Sequence, residues 1–271
     1  MTPKLTIGII TCGRNNKIKE CLFSIRDNVK VNHKILVVDS LINNENIELY
    51  DSFSNLEYIS FSSPISPSHG RKMLSKYLET SYLLYLDDDL VVREDTVEKM
   101  LDHAENRKDV GIVGGIWEEY GKYRPVGHRF IYGKNNKGEP LIFKFNVLIE
   151  EIQKLKLSSL KVDSVQASIL IRQEVLDQIQ FDEEYTFFYE LWDFYMQAAN
   201  NNVSIEVLLD ACFDHKPTKY LKKTKRQNSQ DEEDKNRFMK KWNVKPEKIV
   251  KRQTKKEYSL IRKLIRKLFK K

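Results

Sequence analysis

Short apolar runs alternate with amphipathic segments over roughly the first 115 residues of the chain. The apolar runs predict buried strands at Leu5–Ile10, Lys34–Asp39, Leu56–Ser60, Ser81–Asp87 and Val110–Ile116. Apolar positions at helical spacing predict helices between them, at Asn15–Asn28, Ile47–Phe53, Arg71–Leu78 and Thr96–Ala104. Such alternation is typical of βαβ units, and continuous apolar runs suit strands that are covered on both faces. The first part of the chain therefore predicts an α/β layer around a central sheet.

The pattern loosens beyond Trp117. Glu118–Gly138 has no clear period, and we expect it to cross over a site rather than to join the scaffold. The later predicted elements are strands at Val162–Ile171 and Val203–Asp210, helices at Gln173–Gln180, Tyr189–Asn200 and Gln230–Trp242, and a basic loop at Lys216–Arg226. We expect one globular domain over residues 1–245 and an appended basic amphipathic helix over residues 246–271.

Three consecutive carboxylates follow the fourth predicted strand. In SYLLYLDDDLVV, Asp87, Asp88 and Asp89 come directly after apolar residues. Carboxylates repel one another, so such a cluster favours a bound cation, and an oxygen-rich site suits Mg²⁺ or Mn²⁺. Alternation along the strand places Asp87 and Asp89 on one side and Asp88 on the other. The alternative is a solvated acidic turn that caps a helix starting near Glu94.

The net charge of +7 is concentrated at one end of the chain. Lys251–Lys271 holds ten Lys or Arg and one Glu, a net charge of +9, so the other residues carry −2. A near-neutral body argues against nucleic acid as a partner. Within the basic segment, Ser259–Lys271 sets apolar residues at helical spacing opposite Lys and Arg, which predicts a helix on an anionic membrane surface. We expect attachment through Arg252–Lys271; docking on the chain's own body or on a partner subunit is the alternative.

Cysteine content and the first residues bear on location. Cys12, Cys21 and Cys212 have no metal-ligand spacing, which favours a reduced, cytosolic protein. The start, MTPKLTIGIIT, has no basic region before a long apolar run, and we expect neither a cleaved signal nor a membrane span. The expected location is cytoplasmic and peripheral, on the inner face of the membrane.

An ordered set of motifs resembles a known enzyme family. The motifs are TIGIITCGR, ILVVDS, HGRKML, LDDDL, VDSVQASILIR, FDEEYTFFYELWDF and FMKKW, and they extend from Leu5 to Trp242. Together they resemble a family-2 glycosyltransferase of the GT-A fold. The resemblance implies a Rossmann-like nucleotide-binding half and a mixed central sheet. It also implies sugar transfer from a nucleotide-diphosphate donor, usually with inversion, aided by Mn²⁺ or Mg²⁺.

The resemblance assigns expected roles in the donor site. Thr11 and Arg14, just beyond the first strand, are expected at the nucleotide, and Asp39 is expected to read the base. Arg71 is expected to approach the diphosphate from the start of its helix, where the helix dipole also favours anions. The alternatives are an ordinary cap for Asp39 and a plain surface position for Arg71.

The acid triplet matches the family's Asp-x-Asp motif. Asp87 is expected towards the ribose and the metal, and Asp89 as a direct metal ligand. Asp88 is expected to point into the fold or to support the nucleotide sugar from behind. His215, in FDHKP after the last strand, is expected as a further metal or phosphate contact, and a polar surface position is its alternative.

The chain departs from the family at the expected catalytic base. Relatives carry a Glu-Asp pair at the start of a helix, whereas this chain reads FFYELWDF, with Leu191 at the usual base position. Glu190 and Asp193 are the remaining candidates, three residues apart on one helical face, and Asp193 is slightly favoured. Structural roles for both, as acids that complement the helix dipole, stay open.

Two further residues are expected at the acceptor. Asp163 matches the acid of the family's valine-aspartate motif, and Trp192 is expected to stack on a sugar, with core packing as its alternative. The expected function is metal-dependent transfer from a nucleotide sugar, a UDP-sugar by preference, to a glycan or lipid-linked acceptor in bacterial-type surface glycan or polysaccharide synthesis. The alternatives are a catalytically weak or non-enzymatic sugar-nucleotide-binding protein and a nucleotidyltransferase. A nucleotidyltransferase would need more Gly than TCGRNNKIKE provides.

Overall fold

Strands and helices alternate strictly in the first part of the chain. The computed structural model describes residues 2–152, 156–186, 189–217 and 225–248. The first elements are β1 (Leu5–Thr11), α1 (Asn15–Asn28), β2 (His33–Asp39), α2 (Asn44–Asp51), β3 (Leu56–Ser60), α3 (Pro67–Lys76) and β4 (Tyr82–Asp87). The four strands pair in parallel in the order β4-β1-β2-β3. Strands β1 and β4 are buried along almost their whole length, as their continuous apolar runs predict.

The rest of the described chain adds strands of both directions. Its elements are β5 (Leu90–Val92), α4 (Thr96–Asn106), β6 (Ile112–Glu119), β7 (Lys122–Tyr123), β8 (Gly127–Lys134), β9 (Pro140–Val147), α5 (Ile149–Ile152), β10 (Ser159–Val162), β11 (Ser168–Arg172), α6 (Gln173–Leu176), α7 (Glu190–Asn200), β12 (Ile205–His215), α8 (Lys225–Trp242) and β13 (Lys245–Lys248). Strand β11 lies antiparallel between β4 and β6, and β12 runs parallel to β6. The central sheet has the order β10-β12-β6-β11-β4-β1-β2-β3 and is therefore mixed, which confirms the expected fold class.

A second, smaller sheet occupies the region that was expected to be irregular. Strands β8 and β9 form a hairpin, and β13 pairs with β9 in parallel, giving the order β13-β9-β8. The expectation that Glu118–Gly138 contains no scaffold element is therefore wrong. The hairpin was not predicted because only the first two residues of β8 are buried and the other six are half-buried or exposed, so its sequence mixes polar with apolar residues.

Several element boundaries differ from expectation. Helix α8, for example, begins at Lys225, five residues before its predicted start, and so includes the last two residues of the predicted basic loop Lys216–Arg226. Two of the differences have clear local reasons. Helix α3 begins at Pro67, four residues before the predicted start, because Ser66 caps it and Pro favours the first helical position. The predicted strand Val162–Ile171 is two strands, β10 and β11, which pair with different neighbours. The loop between them carries Asp163, and its backbone N–H donates to the carbonyl of His128 at 2.9 Å.

The appended helix lies almost wholly outside the described residues. Strand β13 reaches Lys248 and so includes the first three residues of the expected tail, 246–248, while Arg252–Lys271 are not among the residues that the structure describes. Across the described part of the chain, no helix combines the length and apolar character needed to span a membrane.

Candidate functional site

The carboxyl ends of three parallel strands meet at one edge of the sheet. The register places Thr11 of β1 opposite Asp39 of β2, and Ile10 opposite Asp87 of β4. The side chains at the ends of these strands therefore lie close together, although β1 and β4 are far apart in sequence. Open α/β sheets bind ligands at this edge.

Asp88 is the most enclosed member of the acid triplet. It has no exposed surface, and its Oδ2 accepts hydrogen bonds from Thr11 Oγ1 at 2.5 Å and from Arg14 Nε at 2.9 Å. Arg14 Nη2 also contacts Oδ1. Burial raises the pKa of Asp88 to about 7, against the opposing field of the Arg14 guanidinium. Asp88 therefore points into the fold, as expected, and it holds Thr11 and Arg14 at the mouth of the site.

Asp87 and Asp89 are more accessible than Asp88. Asp87 Oδ1 accepts from Tyr85 Oη and from Arg71 Nη2, the latter at 3.3 Å, and the side chain is 24% exposed. Asp89 Oδ2 lies 3.3 Å from Arg14 Nη1. Burial raises the pKa of Asp89, and the nearby Asp87 carboxylate adds to this rise. Two carboxylates thus lie at the opening of the site with cations on both flanks.

His215 completes this cluster from the other end of the chain. Pairing of β12 with β5 sets His215 opposite Leu90, which brings its Nε2 to 3.8 Å from Asp89 Oδ1. The other ring nitrogen, Nδ1, lies 3.0 Å from Glu119 Oε2, and the ring packs on Trp117 with 4.4 Å between centroids. Glu119 was not predicted as a site residue. The feature that could have predicted it is the pair of acids at the end of β6, because β6 runs parallel to β12 and the two strands end at the same edge of the sheet.

The cluster fits a divalent cation. In the described part of the chain, no three His, Cys, Asp or Glu side chains converge as a preformed metal cage. Mg²⁺ typically uses only one or two carboxylates together with waters and substrate phosphates, so the oxygen donors of Asp87 and Asp89 fit such an ion without a third protein ligand. Metal-binding histidines usually hold a carboxylate with the second ring nitrogen, as His215 holds Glu119.

An apolar cavity of about 340 Å³ opens beside Thr11 and Arg14. The residues that line it are Ile10, Thr11, Cys12, Arg14, Val38, Ser40, Pro64, Ile65, Ser66, Pro67 and Gly70. A Cβ at Gly70 would lie 3.0 Å from Ile10 Cγ2, so this position of α3 packs tightly against β1. A slot with apolar walls that ends in polar groups can take a flat heterocycle with an anionic group attached.

Asp39 lies beneath this cavity rather than in its wall. It is fully buried, and its carboxylate accepts from the Leu41 backbone N–H at 3.1 Å and from Asn46 Nδ2 and Tyr50 Oη, both at 2.8 Å. Its neighbours along β2, Val38 and Ser40, are the residues that line the cavity. The structure therefore shows Asp39 fixing α2 to β2, and its expected contact with a nucleotide base stays a prediction.

A second cavity, of about 390 Å³, shares His215 with the acid cluster. It is lined by Lys17, Glu118, Tyr120, Gly121, Asp214, His215, Lys216 and Pro217. Its two acids share one cation, because Arg93 donates to Glu118 and to Asp214, both at 2.8 Å. This cavity gives room for a further polar group next to Asp89 and His215.

Arg71 and Glu190 form a buried pair, which the sequence did not predict. Arg71 Nη1 donates to Glu190 Oε1 at 2.7 Å while Nη2 reaches Asp87, and the Arg71 side chain is 5% exposed. Burial raises the pKa of Glu190, and Arg71 opposes that rise. Arg71 is thus placed between two acids of the chain and not on an open surface.

Asp193, the slightly favoured base, is held on all sides by hydrogen-bond donors. The carboxylate is fully buried and accepts from Tyr185 Oη, Gln197 Nε2, Lys241 Nζ and Trp242 Nε1 at 3.3, 2.7, 3.0 and 2.8 Å. Two of these donors come from α8, so Asp193 ties the start of α7 to the end of α8. This arrangement suits a structural acid.

The two expected acceptor residues, Asp163 and Trp192, are both half-buried, but their contacts differ. Asp163 is 30% exposed on its side chain, with Oδ2 accepting from the Phe130 backbone N–H at 2.7 Å and Oδ1 3.4 Å from Arg129. Trp192 is stacked on Phe130, with 5.6 Å between centroids, and meets Phe238 edge-on at 5.9 Å. Packing, the alternative role for Trp192, accounts for its contacts with these two rings.

Comparison with known proteins identifies the family. The family model described as Glycosyl transferase family 2 matches residues 6–180. No curated protein matches the chain in sequence.

Solved structures share the fold at low sequence identity. GalNAc-T7 with UDP, GalNAc and Mn²⁺ superposes with a TM-score of 0.62 at 10% identity, over 79% of this chain and 44% of that one. A structure of S. aureus TarS 1–349 gives 0.57 at 16% identity, over 78% of this chain and 60% of that one. A second TarS structure gives 0.58 at 16% identity, over 79% and 37%. The chain thus spans between 37% and 60% of these solved chains. The family match and the shared architecture confirm the resemblance drawn from the sequence motifs. This chain belongs to glycosyl transferase family 2 and has the GT-A fold.

Proposed function

We propose that this chain transfers a sugar from a nucleotide-diphosphate donor, a UDP-sugar by preference, to an acceptor hydroxyl with the help of a divalent cation. One observation carries the proposal. The carboxylates Asp87 and Asp89 open beside a slot of about 340 Å³ whose polar end is formed by Thr11 and Arg14. A nucleoside fits the slot, and its diphosphate then lies towards the acid cluster, where a cation is needed between phosphate and carboxylate.

The residues of the acid cluster have different proposed roles in binding the donor. Asp87, Asp89 and His215 would hold Mn²⁺ or Mg²⁺, with Glu119 orienting His215. The chemistry that a bound cation supplies is neutralisation of the charge that builds on the departing nucleoside diphosphate. GalNAc-T7, which shares the fold, is seen with UDP, GalNAc and Mn²⁺, and this supports the same donor and cation class here.

Glu190 is the proposed general base. Of the two candidates it is the one that contacts the donor side, through Arg71, whereas the Asp193 carboxylate is filled by four donors. The acceptor oxygen bonds to the anomeric carbon as its proton passes to Glu190, and the bond to the diphosphate oxygen breaks with its electron pair. Attack from the side opposite the leaving group gives inversion. Asp163, half-open beside β8, is the proposed acceptor contact.

Binding of nucleotides to the full-length protein tests the donor assignment. Ligands that bind only the folded state stabilise it by mass action, by about 2.7 kcal/mol at a concentration of 100 Kd. We expect UDP with Mn²⁺ to raise the melting temperature by several degrees, GDP and CDP to raise it less, and EDTA to cancel the rise. An equal response to ATP with a sugar phosphate, together with release of pyrophosphate, would favour the nucleotidyltransferase alternative instead.

The proposed setting is surface glycan or polysaccharide synthesis at the cytoplasmic face of a membrane. The sequence of Arg252–Lys271 supports attachment to anionic lipid, since each basic residue near such a surface contributes about 1 kcal/mol. Removal of Arg252–Lys271 is expected to release the protein from vesicles that contain phosphatidylserine at low salt. A matched variant with Leu260, Leu264 and Leu268 changed to Ser keeps every charge and tests the apolar stripe alone. Unchanged cosedimentation of the truncated protein would refute attachment through the tail.

A further inference from the structure

Arg71 lies where the donor side and the acceptor side of the site meet. Helix α3 presents it to Asp87 at the end of β4 and to Glu190 at the start of α7, residues that are 16 and 119 positions away in sequence. The contacts are 2.7 Å to Glu190 and 3.3 Å to Asp87. One side chain thus joins two acids to which the proposed function gives separate tasks.

The guanidinium is enclosed from the remaining directions. Its central carbon lies 4.6 Å from the centroid of the Tyr85 ring and 5.9 Å from that of Phe181. Tyr85 Oη donates to the same oxygen of Asp87 that Arg71 contacts. A cation in this position is directed at Asp87 and Glu190. It is not available to a phosphate without breaking either the buried pair with Glu190 or the part-buried pair with Asp87.

The chemistry of the site explains why the cation is Arg. The planar fork of a guanidinium reaches two carboxylates at fixed angles, whereas an ammonium is a single point charge. The charged groups that face Glu190 are Arg71 from α3 and Asp87 from β4, while Asp193, the next acid on α7, is held by Lys241 and Trp242 of α8. Without Arg71, Glu190 would be a buried acid beside a second acid and would take up a proton.

We propose that Arg71 is a positioning residue that fixes Glu190 in its ionised form and ties it to Asp87, and that it does not bind the donor diphosphate. This inference rests on the proposed function and assigns how its base is held. It differs from the expectation drawn from the sequence, in which Arg71 approaches the diphosphate.

The test compares Arg71→Met with Lys72→Met in the full-length protein. Lys72 is the matched control, because it is the next cation on α3 and pairs with Glu183 on the surface at 2.8 Å. The measurements are the affinities for UDP and for UMP with Mn²⁺ and the pH dependence of Mn²⁺-dependent hydrolysis of UDP-sugars. We expect Arg71→Met to keep the ratio of UDP to UMP affinity within about 2-fold and to lower kcat at least ~10-fold. The acid limb of its pH profile should move up by about one pH unit or more, because Glu190 loses its cation. Lys72→Met should match the wild type in all three.

A double-mutant cycle keeps the test decisive if Arg71→Met folds poorly. Arg71→Met with Glu190→Gln removes both charges and leaves no unpaired acid at position 190, and we expect Arg71→Met to cost less than about 3-fold in kcat in that background. The proposal is overturned if Arg71→Met weakens UDP binding 10-fold or more while UMP binding is kept, or if the two substitutions multiply. A wild-type protein that binds neither nucleotide and hydrolyses no donor would instead refute the proposed function.

Discussion

The donor side and the acceptor side of the site hold their buried carboxylates in different ways. On the donor side, Asp88 and Asp89 are balanced by Arg14, a cation whose side chain is 39% exposed. On the acceptor side, Asp193 is surrounded by four donors, two of them on α8, and has no exposed surface. The first arrangement leaves room for exchange of partners, since a half-exposed Arg can turn to a ligand. The second is a fixed link between two helices.

This difference separates carboxylates that are available to a ligand from carboxylates that stabilise the fold. A carboxylate with its lone pairs filled by buried donors contributes to stability, and its loss leaves those donors unpaired. A carboxylate beside a mobile cation and an open cavity is available to a ligand. Glu190 lies between these cases, because its one charged contact is itself shared with Asp87. On this basis we propose metal binding for Asp89 and proton transfer for Glu190, whereas the contacts of Asp193 join helices α7 and α8.

Asp89→Ala is the change with the largest expected effect on activity. It removes the carboxylate that faces His215, and we expect sugar transfer and donor hydrolysis to fall by about two to three orders of magnitude, the loss seen when one transition-state charge contact is removed. The rise in melting temperature with UDP and Mn²⁺ should vanish as well. Asp102→Ala, an exposed acid of α4, is the matched control. Full activity in Asp89→Ala would place the cation elsewhere.

Asp193→Asn is expected to act on stability. The amide removes the charge that Lys241 and Trp242 contact. Lys241 is 36% exposed and keeps Asp182 at 2.9 Å, so the expected loss is that of a buried hydrogen-bond acceptor, about 1–3 kcal/mol. Urea unfolding measures this loss, with the exposed Asp177→Asn as control. Affinity for UDP with Mn²⁺ should stay within about 2-fold of the wild type where the variant is folded. A stable Asp193→Asn protein that binds donor but transfers nothing would reverse the roles of Asp193 and Glu190.

The donor side could be predicted from sequence to a large extent because its determinants are local. Strands β1, β2 and β4 are continuous apolar runs, and each ends in a polar residue that was singled out, so position in sequence gives position at the sheet edge. The Asp triplet lies at this edge for the same reason. His215, the last residue of β12, lies beside Asp89, and its role stays a prediction.

The acceptor side could not be predicted to the same extent because its contacts join distant segments. Glu190 meets Arg71 across 119 residues, and Asp193 meets Trp242 across 49, and no spacing rule connects such pairs. The motif alone therefore ranked Asp193 above Glu190. The small sheet was not predicted for a different reason. Partly exposed strands such as β8 carry polar residues that interrupt the apolar pattern.

His128→Asn tests whether burial of His128, on the acceptor side, makes the free energy of unfolding depend on pH. His128 carries the backbone contacts of the Asp163 loop and is buried, and burial first, with Lys144 next, lowers its pKa well below the ordinary 6.5. Its folded pKa is below its unfolded pKa, so the stability that it contributes is present above pH 6.5 and is lost as the pH falls below it. The wild type should lose up to about 1.4 kcal/mol per pH unit in this range relative to His128→Asn. Urea unfolding between pH 5 and 8 measures the difference, and parallel curves would contradict it.

Lys144→Met is expected to have the smallest effect on stability, and the size of this effect depends on pH. Lys144 Nζ lies 5.4 Å from the centroid of the Trp192 ring, and both residues are half-buried. A cation–π contact that stays open to solvent contributes about 0.5–1 kcal/mol. At pH 8 the variant should therefore be less stable than the wild type by that amount. Below pH 6.5 the gap should narrow, because Lys144 lowers the pKa of His128 and its removal eases protonation of that ring. The free energies of unfolding of the two proteins at pH 8 and pH 5 decide the point. A gap that stays constant would mean that Lys144 does not affect the ionisation of His128 and that the acceptor side, unlike the donor side, holds its charged groups independently of one another.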